Sequence, residues 1–71
     1  MKAKFQIGEI VKDPEKYKCV IMDRFGHGRY KVRYFYNEAC DLLDPYSVNT
    51  FSTKQLKTTN RLFKLYWHYN W

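Results

Sequence analysis

Acidic side chains stop at Asp44: from residue 45 onward the chain carries Lys54, Lys57, Arg61 and Lys64 and no carboxylate. Cysteine is as scarce, with only Cys19 and Cys40 and no CxxC pair. The disulfide framework that staples small secreted domains is therefore missing, and a reduced, cytoplasmic setting is the expectation. Two cysteines and two histidines at these separations fit no zinc finger or ribbon. No apolar run approaches bilayer-spanning length, so no membrane partner is expected. The opening Met1-Lys2-Ala3-Lys4 looks like the charged start of a signal peptide, but Phe5-Gln6-Ile7-Gly8-Glu9 is not the apolar stretch that would follow it. Repeats, low-complexity tracts and linkers are missing too, and residues 1–71 read as one domain.

Aromatic residues and positive charge are what the chain does have. Aromatics make up 20% of its 71 residues and the formal net charge is +6. A chain of this size sits near the lower limit for a self-sufficient core, and the large area buried by each ring compensates. Two alternating runs, Tyr17 to Phe25 and Arg29 to Tyr36, meet at Gly26-His27-Gly28 and predict a β-hairpin. Strand side chains alternate between faces, which puts Tyr30, Val32, Tyr34 and Tyr36 on one side. An even turn, with His27-Gly28 as the shortest, pairs Phe25 with Tyr30 and Ile21 with Tyr34. Cys19, Ile21 and Phe25 then lie under the tyrosines, while Lys18, Arg24, Lys31 and Arg33 point away together. A three-residue turn would place Phe25 and Ile21 among the cations, so the even turn is preferred.

The remaining elements follow from similar signals. Phe5 to Lys12 reads as a first strand, bent at Gly8 and ended by Asp13-Pro14. Asn37 to Pro45 reads as a loop, with Leu42-Leu43 tucked inward, and Tyr46 to Phe51 as a further strand. Ser52-Thr53-Lys54-Gln55 has capping-box spacing and predicts a short helical turn through Leu56. From Asn60 to Trp71 two readings stay open. Phe63, Leu65, Trp67, Tyr69 and Trp71 alternate as a strand would, yet Asn60 is a good N-cap and Leu62, Phe63, Tyr66 and Trp67 fit one helical face. A helix beginning earlier would align Lys54, Lys57, Arg61 and Lys64 as a stripe, against which Thr58-Thr59 argues.

These elements describe an all-β fold, a small five-stranded barrel over about residues 5–57 with an aromatic extension over 58–71. At this level Phe5-x-Ile7-Gly8-Glu9-Ile10-Val11 resembles the opening strand of SH3-like barrel families. Arg29 to Asn37, followed by Phe51-Ser52-x-x-x-Leu56, is similar to the third strand, fourth strand and closing turn of Tudor and KOW-like modules. The resemblance implies binding of peptides, modified side chains or nucleic acid rather than catalysis. Its methyl-ammonium cage would fall on Tyr17, Phe35 or Tyr36, and Asn37. The family's acid and glycine flanking that tyrosine are replaced here by Phe35 and Asn37, and the hairpin register turns Tyr36 inward.

Two binding surfaces are candidates. Lys18, Arg24, Lys31 and Arg33 share their sheet face with Val20, Met22 and Phe35, so the cations can meet successive phosphates while Phe35 stacks on a base. With Lys54, Lys57, Arg61 and Lys64 they make nucleic acid, RNA or single strands above all, the expected partner. The bland alternative is a solvated exterior, or a face covered by the C-terminal segment. The rival functional reading is a protein interface or small inhibitor built on Phe63, Tyr66, Trp67, Tyr69 and Trp71, since such rings lead the list of interface hot spots. Catalysis has little footing: Cys19 reads as buried and inert, and Cys40 adjoins Asp41. Glu38, Asp41 and Asp44 are interrupted by Leu42-Leu43 and Pro45 and form no loop of oxygen ligands. No cofactor, no metal site and no enzyme activity are expected, and the chain is read as a monomer or weak homo-oligomer.

Overall fold

Alternating branched, aromatic and polar residues form five strands in the computed structural model, which describes residues 4–40 and 42–63. They are β1 (Glu9–Lys12), β2 (Lys18–Phe25), β3 (Arg29–Phe35), β4 (Leu43–Ser52) and β5 (Lys57–Leu62), with one 3-10 turn at Thr53–Gln55. The sheet is antiparallel throughout, in the order β4-β3-β2-β1-β5. It is all-β, as the sequence predicts, but it does not close into the expected barrel: β4 and β5 end the order as edges. Side chains from outside the strands seal the inner face in place of a closing ladder. Among the described residues no helix is long and apolar enough to cross a membrane.

Both faces of the sheet carry a core. On the first, Val11, Cys19, Ile21, Tyr30 and Val32 pack with Phe5 from the N-terminal segment and Leu56 from just beyond the 3-10 turn. Phe5 meets Tyr30 edge-on, with ring centroids 5.3 Å apart. The Tyr30 hydroxyl accepts the backbone N–H groups of Lys4 and Phe5 at 3.0 and 3.2 Å, which keeps the polar end of a buried ring satisfied. On the second face Ile10, Val20, Leu43 and Phe63 cluster, with Met22 and Phe35 at the margin. Cys19, Val20 and Ile21 are consecutive and all fully buried, as a strand covered on both sides must be.

The hairpin register differs from the expected one. Phe25 pairs with Arg29, Arg24 with Tyr30 and Asp23 with Lys31, around a three-residue turn in which His27 and Gly28 have φ of 66° and 71°. The register then shifts, and Ile21 pairs with Val32, Val20 with Arg33 and Cys19 with Tyr34. Met22 is the extra residue of a β-bulge. That single insertion keeps Ile21 in the core despite an odd turn, which a strict two-residue period cannot accommodate. It also leaves Phe25 half-exposed at the tip. β3 ends at Phe35, so Tyr36 falls outside the strand and is 58% exposed instead of turning inward.

Elsewhere the local signals hold with adjusted boundaries. Gly8 bends the chain just before β1 with φ of 88°, donating its N–H to Ile21 and accepting that of Phe63, each at 2.8 Å. The strand after the loop begins at Leu43, which is buried, while Leu42 stays half-exposed. The capping signal is realised: the Gln55 side chain accepts the Ser52 N–H at 2.9 Å. β5 carries the first residues of the Asn60–Trp71 segment as strand, and Asn60, with φ of 59°, sits where the β1–β5 register slips rather than capping a helix; from residue 64 on, both readings lie outside the described residues.

Candidate nucleic-acid interface

Cross-strand register assembles a row of lysines on the second face. Lys18 of β2 pairs directly with Lys12 of β1, and Lys12 pairs on its other side with Lys57 of β5. Directly paired residues project to the same side, so three exposed ammonium groups stand abreast across three strands. Adjacent strands lie about 4.8 Å apart, so the row reaches across roughly 10 Å. Arg61, paired with Ile10 one step along the same face, extends the patch. Like charges placed directly opposite one another weaken a sheet. Among the described residues no carboxylate is seen paired with any of the three.

The cations singled out from the sequence are divided by this geometry. Lys18, Lys57 and Arg61 come together, joined by Lys12, which strand alternation alone does not single out because its second partner, Lys57, comes from a strand far away in sequence. Arg24 does not share their face: the Met22 bulge pairs it with Tyr30 and sends it to the other side of the sheet. Lys31 stands opposite Asp23. Arg33 donates to the backbone carbonyls of Asp44 and Pro45, so its guanidinium braces the start of β4. Phe35 is no open stacking platform, since it packs edge-on against Phe63 with centroids 5.3 Å apart. Lys54 lies on the 3-10 turn, which docks on the hairpin tip through Thr53 and Gly28, away from the lysine row. Phe63, a candidate for an exposed protein interface, is a core residue. Lys64, Tyr66, Trp67, Tyr69 and Trp71 lie outside the described residues.

Beside Lys18 the sheet opens into a cleft of about 770 Å³, where β2 begins and β3 ends. Tyr17, Tyr34 and Tyr36 line it together with the carboxylates of Glu15 and Glu38. A second depression of about 480 Å³ adjoins it past Tyr17 and Tyr34, toward Ser47, Asn49 and Phe51. Tyr17 is 62% exposed.

Asp13 ties the Tyr34 ring to the backbone at Tyr17. It is buried; one carboxylate oxygen accepts the N–H groups of Glu15 and Tyr17 at 2.9 and 2.8 Å, and the other accepts the Tyr34 hydroxyl at 2.8 Å. The Asp13-Pro14 turn signal is thus a hub tying the β1–β2 loop to β3. Burial, with help from the hydrogen bond to Asp13, raises the Tyr34 pKa above its usual value. Burial also pushes the Cys19 thiol up to about 12, with the charge of Asp13 adding to the effect. Such a thiol is neutral and unreactive. Among the described residues no three metal-ligating side chains converge.

Comparison with protein families, curated proteins and solved structures finds no match for this chain.

Proposed function

We propose that this chain is a non-catalytic binding module that holds single-stranded nucleic acid, RNA or DNA, along the Lys18–Lys12–Lys57 row. The observation that carries the reading is the row itself. Three paired lysines oppose folding, and an anionic partner offers the compensation that the described fold does not. A flexible single strand can follow a row across a twisted sheet and place its bases to one side, which a stiff duplex does less easily.

Fluorescence anisotropy with labelled single-stranded RNA, single-stranded DNA and duplex DNA at two salt concentrations tests this. Each lysine that neutralises a phosphate contributes about 0.7 to the slope of log affinity against log salt on a single strand. The Lys12→Ala/Lys57→Ala double variant should therefore lose about 1.4 from that slope. Absence of binding at low salt, or an unchanged slope in the double variant, would overturn the proposal.

A further inference from the structure

The geometry points to the cleft beside Lys18 as a nucleobase site selective for bases carrying an exocyclic amino group (cytosine, adenine or guanine) over uracil and thymine. This deepens the lysine-row reading and rests on it for the path of the strand. Lys18 belongs both to the row and to the cleft wall, so a strand whose phosphates follow the row passes the cleft mouth. A volume of about 770 Å³ falls within the range of sites that enclose small organic ligands. Its walls offer flat rings in Tyr17, Tyr34 and Tyr36, and stacking on such rings holds a base of any sequence.

Selectivity comes from the polar part of the wall. Glu15 and Glu38 line the cleft alongside Lys16, Lys18 and Asn37, and within that set the carboxylates are the groups that need a donor from the ligand. The amino groups of cytosine, adenine and guanine donate to such acceptors, whereas uracil and thymine carry carbonyls in place of an amino group. A uracil brings one N–H to two carboxylates, whereas cytosine, adenine or guanine brings two or more. Part of the cleft is fixed in advance: Asp13 holds the Tyr17 backbone and the Tyr34 hydroxyl at once, so the Tyr34 ring is in place before any ligand arrives.

Two measurements separate this inference from the reading beneath it. The first is anisotropy with labelled oligo-rC, oligo-rA and oligo-rU of equal length. Tight binding of C or A over U by about tenfold is expected. Glu15→Gln/Glu38→Gln should abolish the preference, and Tyr17→Ala should weaken single strands at least fivefold while leaving duplex binding unchanged. The second is an NMR titration with cytidine and with uridine, which carry no phosphate. Cytidine should shift the Tyr17, Tyr34 and Tyr36 resonances at concentrations where uridine does not. Equal affinity for C, A and U, or identical titrations with the two nucleosides, overturns the base site even if the Lys12→Ala/Lys57→Ala variant still loses its salt slope. Cytidine shifts with an unchanged salt slope would support the base site and refute the lysine row.

Discussion

Replacing Lys12 by glutamate should make the protein more stable and a poorer binder at the same time. Lys12 is the central member of its row, flanked across the strands by Lys18 and Lys57. The substitution removes two like-charge pairs and creates two opposite-charge pairs. Cross-strand charge pairs contribute roughly 0.2–1 kcal/mol each, and exposed ones lie at the low end. Four increments near 0.25 kcal/mol sum to about 1 kcal/mol, which in a domain of this size raises the melting temperature by about 4–8 °C. Lys12→Gln removes the repulsions alone and should give about half the rise. Thermal melts followed by circular dichroism in dilute buffer measure it directly. The same melts in 1 M salt, where the screening length falls to about 3 Å, should bring the variants together. Lys54→Glu, on the 3-10 turn and outside the row, serves as the control and should stay within about 0.5 kcal/mol of the parent. A Lys12→Glu protein that melts at or below the parent temperature in dilute buffer would show that the row is not repulsive. The functional argument built on it would then lose its basis.

Other perturbations address other links. Asp13→Ala removes a buried acceptor of three hydrogen bonds and should cost about 3 kcal/mol in urea denaturation, with Asp13→Asn nearer half of that; a loss under 1 kcal/mol would contradict the hub. Phe63→Ala should cost about 3 kcal/mol through lost burial against Ile10, Val20 and Phe35, and a neutral result would return Phe63 to the surface. Gly28→Ala should destabilise by about 1 kcal/mol or more, because Gly28 has φ of 71° and an added Cβ would lie 3.2 Å from the Thr53 hydroxyl oxygen; Gly26→Ala, with open space around it, should be near neutral. Alkali should weaken the fold. The Cys19 thiol holds its proton up to about 12 when folded and releases it near 9.0 otherwise. Its contribution is therefore complete below pH 9 and declines as pH rises through about 12, with Tyr34 shifted in the same direction. Stability that stays level from pH 9 to 11 would refute this.

Period and turn chemistry made much of the sheet legible from residues alone. The hairpin, the Gly8 bend, the Asp13-Pro14 turn and the Ser52–Gln55 cap are short-range features, and each is specified by a few neighbours. Alternation alone likewise assigns Tyr30 and Val32 to the core, where both are buried. What local pattern could not reveal was the extra residue at Met22, because alternation on either side of a bulge looks regular in isolation. That one residue explains why Arg24 was grouped with Lys31 and Arg33. The lysine row was hidden differently: Lys12, Lys18 and Lys57 become neighbours only once β1 lies between β2 and β5. Phe35 looked like a free platform because its cover, Phe63, arrives from beyond β5. The end of β3 at Phe35, which frees Tyr36 to line the cleft, had no punctuating glycine or proline to announce it.

The bulge at Met22 makes the β2–β3 hairpin two ribbons joined out of phase. Side chains of the distal ribbon, around the glycine turn, are counted from a different origin than those of the proximal ribbon, which joins the body of the sheet. Cys19, Val20 and Ile21 keep their fully buried places despite the odd turn, since the mismatch is absorbed at Met22 before it reaches them. The tip itself is held by the 3-10 turn through Thr53 and Gly28, and the face on which Arg24 emerges is decided by a count rather than by a residue type.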